Sequence, residues 1–207
     1  TTSFVHIDTW GVNVTSPNVT KENATIQLST VVKNEKNKKQ SIKLCSKIKD
    51  KNATEIVKEF RIVELNPKDQ KVITQTMEVK NPNLWDMSNP YLYTAQIEIS
   101  LNNKALDLVN KSFGIRSIRF SAENGFLLNG KSVKINGGCA HHDNGCLGAA
   151  AYDRAEEKKV ELLKSAGFNL VRTSHNPPSE AFLEACDRLG LLVIDEAFDG
   201  WRTKKND

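Results

Sequence analysis

The sequence predicts a chain of two parts, an antiparallel β-sandwich followed by a series of parallel βα units. Two observations carry this prediction. In the first half of the chain, apolar residues recur at every second position between turn-rich clusters, without a helical pattern. From about Phe120 onward, apolar runs typical of buried strands alternate with stretches of helical periodicity. The first pattern is typical of sandwiches and the second of a parallel sheet flanked by helices.

The first part is predicted from segments in which apolar and polar residues alternate, such as "TIQLSTVV", "SIKLCSKI" and "YLYTAQIEISL". Such alternation indicates strands with one buried and one solvated face. Turn-like clusters, among them "KNEKNKKQ" and "LNPKDQ", separate the strands. Several strands of this kind predict a sandwich of roughly 100 residues. The positions expected on the buried faces are Ile26, Leu28, Val32, Ile42, Leu44, Ile48, Tyr91, Tyr93, Ala95, Ile97, Ile99 and Leu101.

The second part opens with a predicted hairpin that turns at Asn129–Gly130, in "GFLLNGKSVKI". It continues as strand "INGGCAHHDN", helix "YDRAEEKKVELLKSAG", strand "FNLVRTSH", helix "PPSEAFLEACDRLG" and strand "LLVIDEAF". Each helix is expected to stop at a glycine, and the second to carry proline in its first turn. The apolar stripes expected to face the sheet are Val160, Leu163 and Ala166 in the first helix and Phe182, Cys186 and Leu189 in the second.

The composition excludes several classes of protein. Hydrophobic residues make up 39% and charged residues 26%, which is typical of a globular chain. The net charge of +4 comes from scattered lysines without interleaved aromatics, so no nucleic-acid partner is expected. No apolar run reaches the length of a membrane-spanning helix, and the N-terminus shows no signal-peptide pattern. We therefore expect no membrane partner.

The four cysteines show no CxxC spacing, which is the common signature of a metal or redox site. Cys45 and Cys186 lie in apolar patterns and are predicted to be buried thiols. Cys139 and Cys146 flank a pair of histidines. Free thiols are favoured there over a disulfide between the two.

Polar and ionisable side chains stand where each predicted parallel strand ends. The carboxyl ends of parallel strands meet at one edge of a sheet, and α/β proteins place their chemistry at that edge. We therefore predict a site at this edge. The residues that the strands bring to it are His141, His142, Asp143, Arg172, His175, Asp195 and Glu196.

Three strands and two helices are too few to complete such a fold. An open sheet of three parallel strands would leave unpaired edges, whereas a closed eight-stranded barrel takes roughly 250 residues. A small doubly wound sheet would also need more strands. We expect the sheet to continue after Asp207, and the chain to be a piece of a larger enzyme.

The motifs "NPYLYT", "FGIR", "GFLLNGK", "VRTSH" and "CDRLGLLVIDEA" follow one another in this order. In this combination the chain resembles family 2 of the glycoside hydrolases, from about residue 5 to its end. The resemblance implies an immunoglobulin-like sandwich over residues 1–119. It further implies that residues 120–207 form the N-terminal portion, about three βα units, of a (β/α)8 TIM barrel. A jelly-roll domain would precede the sandwich.

The resemblance also implies a reaction. Members of the family cleave β-glycosides with retention, through a covalent glycosyl-enzyme, using two glutamates. The acid/base follows the fourth barrel strand in an Asn-Glu pair, and the nucleophile lies on the seventh strand. Both would come after residue 207, so this chain would hold no catalytic residue and would be inactive alone.

The expected parent is a β-galactosidase, with β-glucuronidase and β-mannosidase as alternatives within the family. A non-catalytic carbohydrate-binding or interaction module is a further alternative. It would need an exposed aromatic platform on one face of the sandwich. Tyr91 and Tyr93 share the alternation of buried residues instead, which disfavours it.

Two histidines match family positions that contact the sugar in β-galactosidases, His142 and His175, although the adjacent His141 leaves an ambiguity of one residue. Arg172 matches an arginine beside the nucleophile; the alternative is a structural arginine paired with Asp195. Asp143 is expected either to orient His142 or to be an ordinary loop acid.

Asp195 and Glu196 are adjacent on a strand, so their side chains should point to opposite faces. They cannot both flank one glycosidic bond, since retention needs carboxyl groups about 5 Å apart. We predict that they support the site by binding Arg172 and loop amides. Trp201 is predicted either to stack on a sugar or to anchor its loop.

No metal or cofactor is expected. Some β-galactosidases bind Mg²⁺ through a Glu-x-His motif, and the matching places fall near Gly200 and Arg202, which are poor ligands. A site made by His141, His142 and Asp143 is disfavoured, because three successive loop residues rarely converge on one ion. The expected partner is a β-glycoside substrate. A homo-oligomeric parent stays open, as does its compartment, bacterial periplasm or cytoplasm.

Overall fold

The computed structural model describes residues 3–198. These form two compact units. The first contains the chain up to Leu84 together with Tyr91–Ser117, and the second contains Trp85–Pro90 together with the chain from Ile118 onward. The division near residue 118 lies close to the predicted one. The sequence did not predict that Trp85–Pro90 belongs with the second unit.

The first unit is an antiparallel sandwich of two sheets, with strand orders β1-β2-β5 and β4-β3-β6-β7. Most of its strands are long because the alternation of apolar residues that predicts them is sustained over many positions. The strands are β1 Val5–Val19, β2 Asn23–Asn34, β3 Gln40–Lys49, β4 Glu55–Leu65, β5 Asp69–Lys80, β6 Tyr93–Leu101 and β7 Lys104–Phe113.

The core of the sandwich lies between the two sheets, where the predicted apolar faces meet. Most of the residues expected there are buried, but Tyr91 and Leu101 are only half-buried. Polar groups in this core are only partly paired. The Ser46 hydroxyl donates to Gln75 Oε1 at 2.6 Å, whereas Gln75 Nε2 and the Thr30 hydroxyl are buried without a hydrogen-bond partner among residues 3–198. The prediction for Cys45 was wrong, since it is half-buried. Leu44 and Ser46 point inward, so Cys45 between them points outward.

The second unit begins with a small antiparallel meander and continues as a parallel sheet in the order β11-β12-β13. This confirms the predicted succession of strands and helices. The meander consists of β8 Ile118–Ser121, β9 Gly125–Leu128 and β10 Lys131–Ser132. The remaining elements are β11 Gly137–Ala140, a 3₁₀ turn Gly145–Leu147, α1 Asp153–Ser165, β12 Leu170–Thr173, α2 Glu180–Leu189 and β13 Leu192–Ile194.

The ends of the elements in this unit follow from their residues. Asn129 and Gly130 turn the β9–β10 hairpin with φ of 51° and 77°. Helix α2 starts later than predicted, because Ser179 is its N-cap and both prolines precede it; the Ser179 hydroxyl accepts from Phe182 N at 3.2 Å. Gly190 ends the helix in the left-handed region, with φ of 76°.

Both helices pack on one face of the parallel sheet. Val160, Val171, Phe182 and Cys186 are buried together there. Ala166 was expected in this core but is exposed, since it lies just past the end of α1. On the opposite face Cys139 and Ile194 are exposed, so no described residue between 3 and 198 buries that side of the strands at these positions.

The segment Trp85–Pro90 is held against the C-terminal end of α2. The Trp85 side chain is 1% exposed, and its Nε1 donates to Asp187 O at 2.7 Å. Lys164 Nζ donates to both Met87 O, at 3.2 Å, and Gly190 O, at 3.0 Å. A Cβ on Gly190 would lie 2.6 Å from Met87 O, so this approach also requires glycine.

Candidate functional site

The three parallel strands deliver their polar side chains to one edge of the sheet, as predicted. His141, His142 and Asp143 follow β11, His175 follows β12, and Asp195 and Glu196 follow β13. Arg172 lies within β12, opposite Cys139 of β11 and Ile194 of β13. We call this edge the rim.

Glu196 connects two of the predicted site residues. Its Oε1 accepts from Arg172 Nε, and its Oε2 lies 3.3 Å from His175 Nδ1. The hydrogen bond to Glu196 is the main reason that the pKa of Arg172 is raised. The carboxylate therefore fixes both a guanidinium and an imidazole; its contact with Arg172 was predicted, and that with His175 was not.

Asp195 has a different partner, as expected for adjacent residues of an extended chain. Thr173 Oγ1 lies 3.3 Å from Asp195 Oδ1. The alternative that paired Arg172 with Asp195 was therefore wrong in its partner. In the observed register Arg172 stands opposite Ile194, so the residue two positions later, Glu196, falls on the same face as the guanidinium.

The two adjacent histidines differ in their contact with His175. The His141 ring packs edge-on against His175, with ring centroids 5.4 Å apart and planes at 75°. His142 is half-buried, and both His141 and His142 line a small space together with Glu156 and Phe182. Of the two, the structure places His141 beside His175.

Asp143 shapes its own loop. Its Oδ1 accepts from Gly145 N at 3.0 Å, at the start of the 3₁₀ turn. This geometry matches the alternative of a loop acid, and local hydrogen bonding of this kind is usual for aspartate in turns.

Sequence reasoning missed Cys139 as a neighbour of the site. Arg172 Nη1 donates to Cys139 Sγ at 3.5 Å. The Ser174 hydroxyl and the Arg172 guanidinium, both close to this thiol, lower its pKa below the usual range. The sequence offered one signal: Cys139 comes two residues before His141, near the end of the same predicted strand. A residue at that place can stand opposite a residue of the neighbouring parallel strand, as Cys139 does with Arg172. All four cysteines are free thiols, as favoured for Cys139 and Cys146.

The rim offers a guanidinium, imidazoles and a carboxylate, groups that can donate hydrogen bonds to a polar ligand or accept them from it. Between residues 3 and 198 no group of three or more His, Cys, Asp or Glu is arranged to hold a metal ion. Neither helix of that range is long and apolar enough to cross a membrane. Trp201, Gly200 and Arg202 lie outside the described residues.

Two family models match the chain. The model "Glycosyl hydrolases family 2" matches residues 5–116, and "Glycosyl hydrolases family 2, TIM barrel domain" matches residues 120–201. The two matches together cover both compact units.

Bacterial relatives match over most of the chain. A β-galactosidase of Bacteroides ovatus is 41% identical over 204 residues, which is 99% of this chain and 24% of that protein. A β-galactosidase of Thermoanaerobacterium thermosulfurigenes is 40% identical over 165 residues, covering 78% of this chain and 22% of that protein.

Solved structures of glycoside hydrolases also superpose on most of the chain. A glycosyl hydrolase family 2 member of Bacteroides cellulosilyticus has 49% identity and a TM-score of 0.93, over 100% of this chain and 27% of that one. A β-glucuronidase of Bacteroides uniformis has 29% identity and a TM-score of 0.88, over 93% of this chain and 24% of that one. The chain thus spans about a quarter of the length of these proteins.

Proposed function

Because the chain belongs to glycosyl hydrolase family 2, with the family's sandwich followed by part of its TIM barrel, we propose that it is part of a retaining β-galactosidase. The whole protein hydrolyses terminal β-linked galactosides through a covalent glycosyl-enzyme. The observation that carries the proposal is the identity of 41% to a β-galactosidase over 204 residues.

The rim residues of this chain bind the sugar and support the reacting groups. Glu196 holds the His175 ring in one orientation, so that the imidazole can bond a defined sugar hydroxyl. A hydrogen bond that tightens as the sugar ring flattens lowers the barrier of the reaction. His142 remains the residue proposed from the family motif, and His141 joins it because His141 packs on His175. Trp201 is proposed as a stacking platform.

Arg172 is proposed to lie beside the nucleophile and to keep that carboxylate ionised. Its contact with Glu196 would hold the guanidinium ready for this task. Asp195 and Glu196 are not the reacting pair, since they bind different partners. The acid/base and the nucleophile are proposed to lie in sequence outside these 207 residues.

A β-glucuronidase is the second candidate, because a solved β-glucuronidase superposes on the chain with a TM-score of 0.88. The test is to assay the complete protein with nitrophenyl β-galactoside, β-glucuronide and β-mannoside. We expect the highest kcat/KM with the galactoside. Preference for the glucuronide would replace the first proposal with the second, and no turnover of any of the three would refute both. Purified residues 1–207 should turn over none.

The non-catalytic module is disfavoured by the sandwich itself. Tyr93 is in the core, and Tyr91 packs on it with ring centroids 5.0 Å apart. Trp10 and Phe60 are exposed, but Trp10 lies on β1 and Phe60 on β4, which belong to different sheets. These two rings therefore do not form a shared platform for a sugar.

A further inference from the structure

Glu156, in the first turn of α1, is a carboxylate buried behind the rim. The residue is 1% exposed. An ionised carboxylate removed from water is costly unless hydrogen bonds and a positive charge compensate it. The groups that compensate Glu156 come from three different segments of the second unit.

The first of these groups belongs to the loop after β11. Asn144 Nδ2 donates to Glu156 Oε1 at 2.8 Å, and the same amide lies 3.2 Å from Ala150 O. Asn144 directly follows His141, His142 and Asp143 in the chain. The carboxylate thus fixes the loop that carries both histidines.

The second group reaches the same loop from α1. Lys159 Nζ donates to Glu156 Oε1 at 3.1 Å and also to His141 O at 3.3 Å. The ammonium group therefore joins the buried carboxylate to the backbone of the histidine that packs on His175.

The third group, the Ser179 hydroxyl, belongs to the connection between β12 and α2. Ser179 Oγ donates to Glu156 Oε2 at 3.3 Å and accepts from Phe182 N as the N-cap of α2. Ser179 is the last residue of the short connection, residues 174–179, that carries His175. Both histidine-bearing loops thus converge on one carboxylate.

The ionisation of Glu156 fits this arrangement. Burial alone would raise its pKa, but the hydrogen bonds from Asn144, Lys159 and Ser179 outweigh burial and bring the pKa below its usual value. The carboxylate is therefore ionised at neutral pH, where it accepts all three bonds.

We propose that Glu156 is a positioning residue, which sets the spacing of the His141–Asp143 loop and the His175 loop through Asn144, Lys159 and Ser179. It does not touch the substrate. Its effect on turnover rests on the proposed function, whereas its effect on the two loops does not.

The test compares Glu156→Leu, Glu156→Gln and wild type in the complete protein. Removing one partner of a buried ion pair usually lowers stability, because Asn144, Lys159 and Ser179 lose their common acceptor. Exchange measured residue by residue therefore separates an effect on the two loops from a general loss of stability. For Glu156→Leu we expect hydrogen exchange in residues 141–150 and 174–179 to accelerate about tenfold or more, while β12 and the sandwich strands keep their protection.

With a galactoside as substrate, we expect kcat/KM of Glu156→Leu to fall by about tenfold to a hundredfold, since misplacement of site groups by about 1 Å can cost that much. Glu156→Gln retains an acceptor oxygen and should recover a large part of the loss, with Tm close to that of wild type. Unchanged exchange in both loops would overturn the proposal. So would acceleration throughout the chain with a parallel fall in Tm, which would make Glu156 a residue of general stability.

Asn144→Ala is the second variant, should Glu156→Leu fail to fold. This substitution removes only the hydrogen bond from Asn144 to Glu156, so exchange should accelerate in residues 141–150 and not in residues 174–179. Equal acceleration in both loops, or in neither, would also overturn the proposal. If wild-type protein hydrolyses no β-glycoside, the exchange data still decide the role of Glu156, and only the proposed function fails.

Discussion

The two units of this chain bury their residues in different ways. Strands of the sandwich run for 9 to 15 residues, whereas the three parallel strands run for 3 or 4. The buried polar residues of the sandwich, such as Ser46 and Gln75, are neutral, whereas the second unit buries the ionised Glu156. The sandwich is thus specified by long alternating faces, and the second unit by short strands, two helices and a charged network.

This difference is what functional sites require. Helices cover parallel strands, and the carboxyl ends of these strands present their side chains at one edge of the sheet. Holding those side chains needs polar contacts, which cost stability unless each is satisfied. The second unit is therefore expected to depend on its small core, on the segment Trp85–Pro90 and on the buried carboxylate of Glu156.

The largest effect is expected from Phe182→Ala, which truncates a fully buried side chain of the small core. Such truncations cost about 3–5 kcal/mol, and this core offers few other large side chains to compensate. Chemical denaturation should show the loss in the second unit only. Leu162→Ala on α1 is the control, since its side chain is exposed, and should be nearly neutral. A loss no larger than that of the control would show that the small core does not depend on Phe182.

A smaller effect is expected from Trp85→Phe. The substitution keeps a buried ring but removes the Nε1 donor to Asp187 O, a loss of about 1–3 kcal/mol. Because Trp85–Pro90 belongs with the second unit, exchange should accelerate at the C-terminal end of α2 and not in the sandwich. If exchange accelerated in β6 or β7 instead, Trp85–Pro90 would be stabilising the sandwich and not the second unit. Phe113→Leu, within the sandwich, is the matched control.

The smallest effect is a change of slope with pH, tested by Glu156→Gln. The pKa of Glu156 lies below its ordinary value of 4.5 in the folded chain, so the unfolded chain binds the proton first as pH falls. Its stabilising contribution is present above about pH 4.5 and is lost as the pH falls through the folded-state pKa. Denaturation midpoints between pH 7 and about 3 should fall less steeply for the variant than for wild type.

The exposed Glu123 provides the control for this measurement, as Glu123→Gln. Its slope should match that of wild type. If the denaturation midpoint changed equally with pH in all three proteins, the carboxylate of Glu156 would contribute no pH dependence. That result would contradict the lowered pKa expected from its three hydrogen-bond donors.

Much of the fold could be predicted from local pattern. The alternation at Ile42, Leu44 and Ile48 identified a strand and its buried face, because side chains of a strand point alternately to two sides. The same rule placed polar strand ends together. The rule failed for Cys45, an apolar residue whose side chain points outward. The start of α2 was also predicted too early, because Ser179 caps the helix and both prolines precede it.

The site was predictable as a location and as a set of residue types, but its pairings were not. Arg172 donates to Glu196 and not to the neighbouring Asp195, and the ring that packs on His175 is that of His141 and not that of His142. Each outcome depends on a register that joins residues more than 20 positions apart, as in the pairing of Arg172 with Ile194. A difference of one residue reverses the face, and no local pattern encodes it.

The order of elements, the buried face of most strands and the edge at which the polar residues collect all follow from periodicity within single segments, so they could be predicted from local pattern. By contrast, tertiary contacts place Trp85–Pro90 in the second unit and give Glu156 its hydrogen bonds from Asn144, Lys159 and Ser179. These contacts unite segments distant in the chain. They are stabilised by the burial that packing creates, and burial is a property of the folded molecule as a whole.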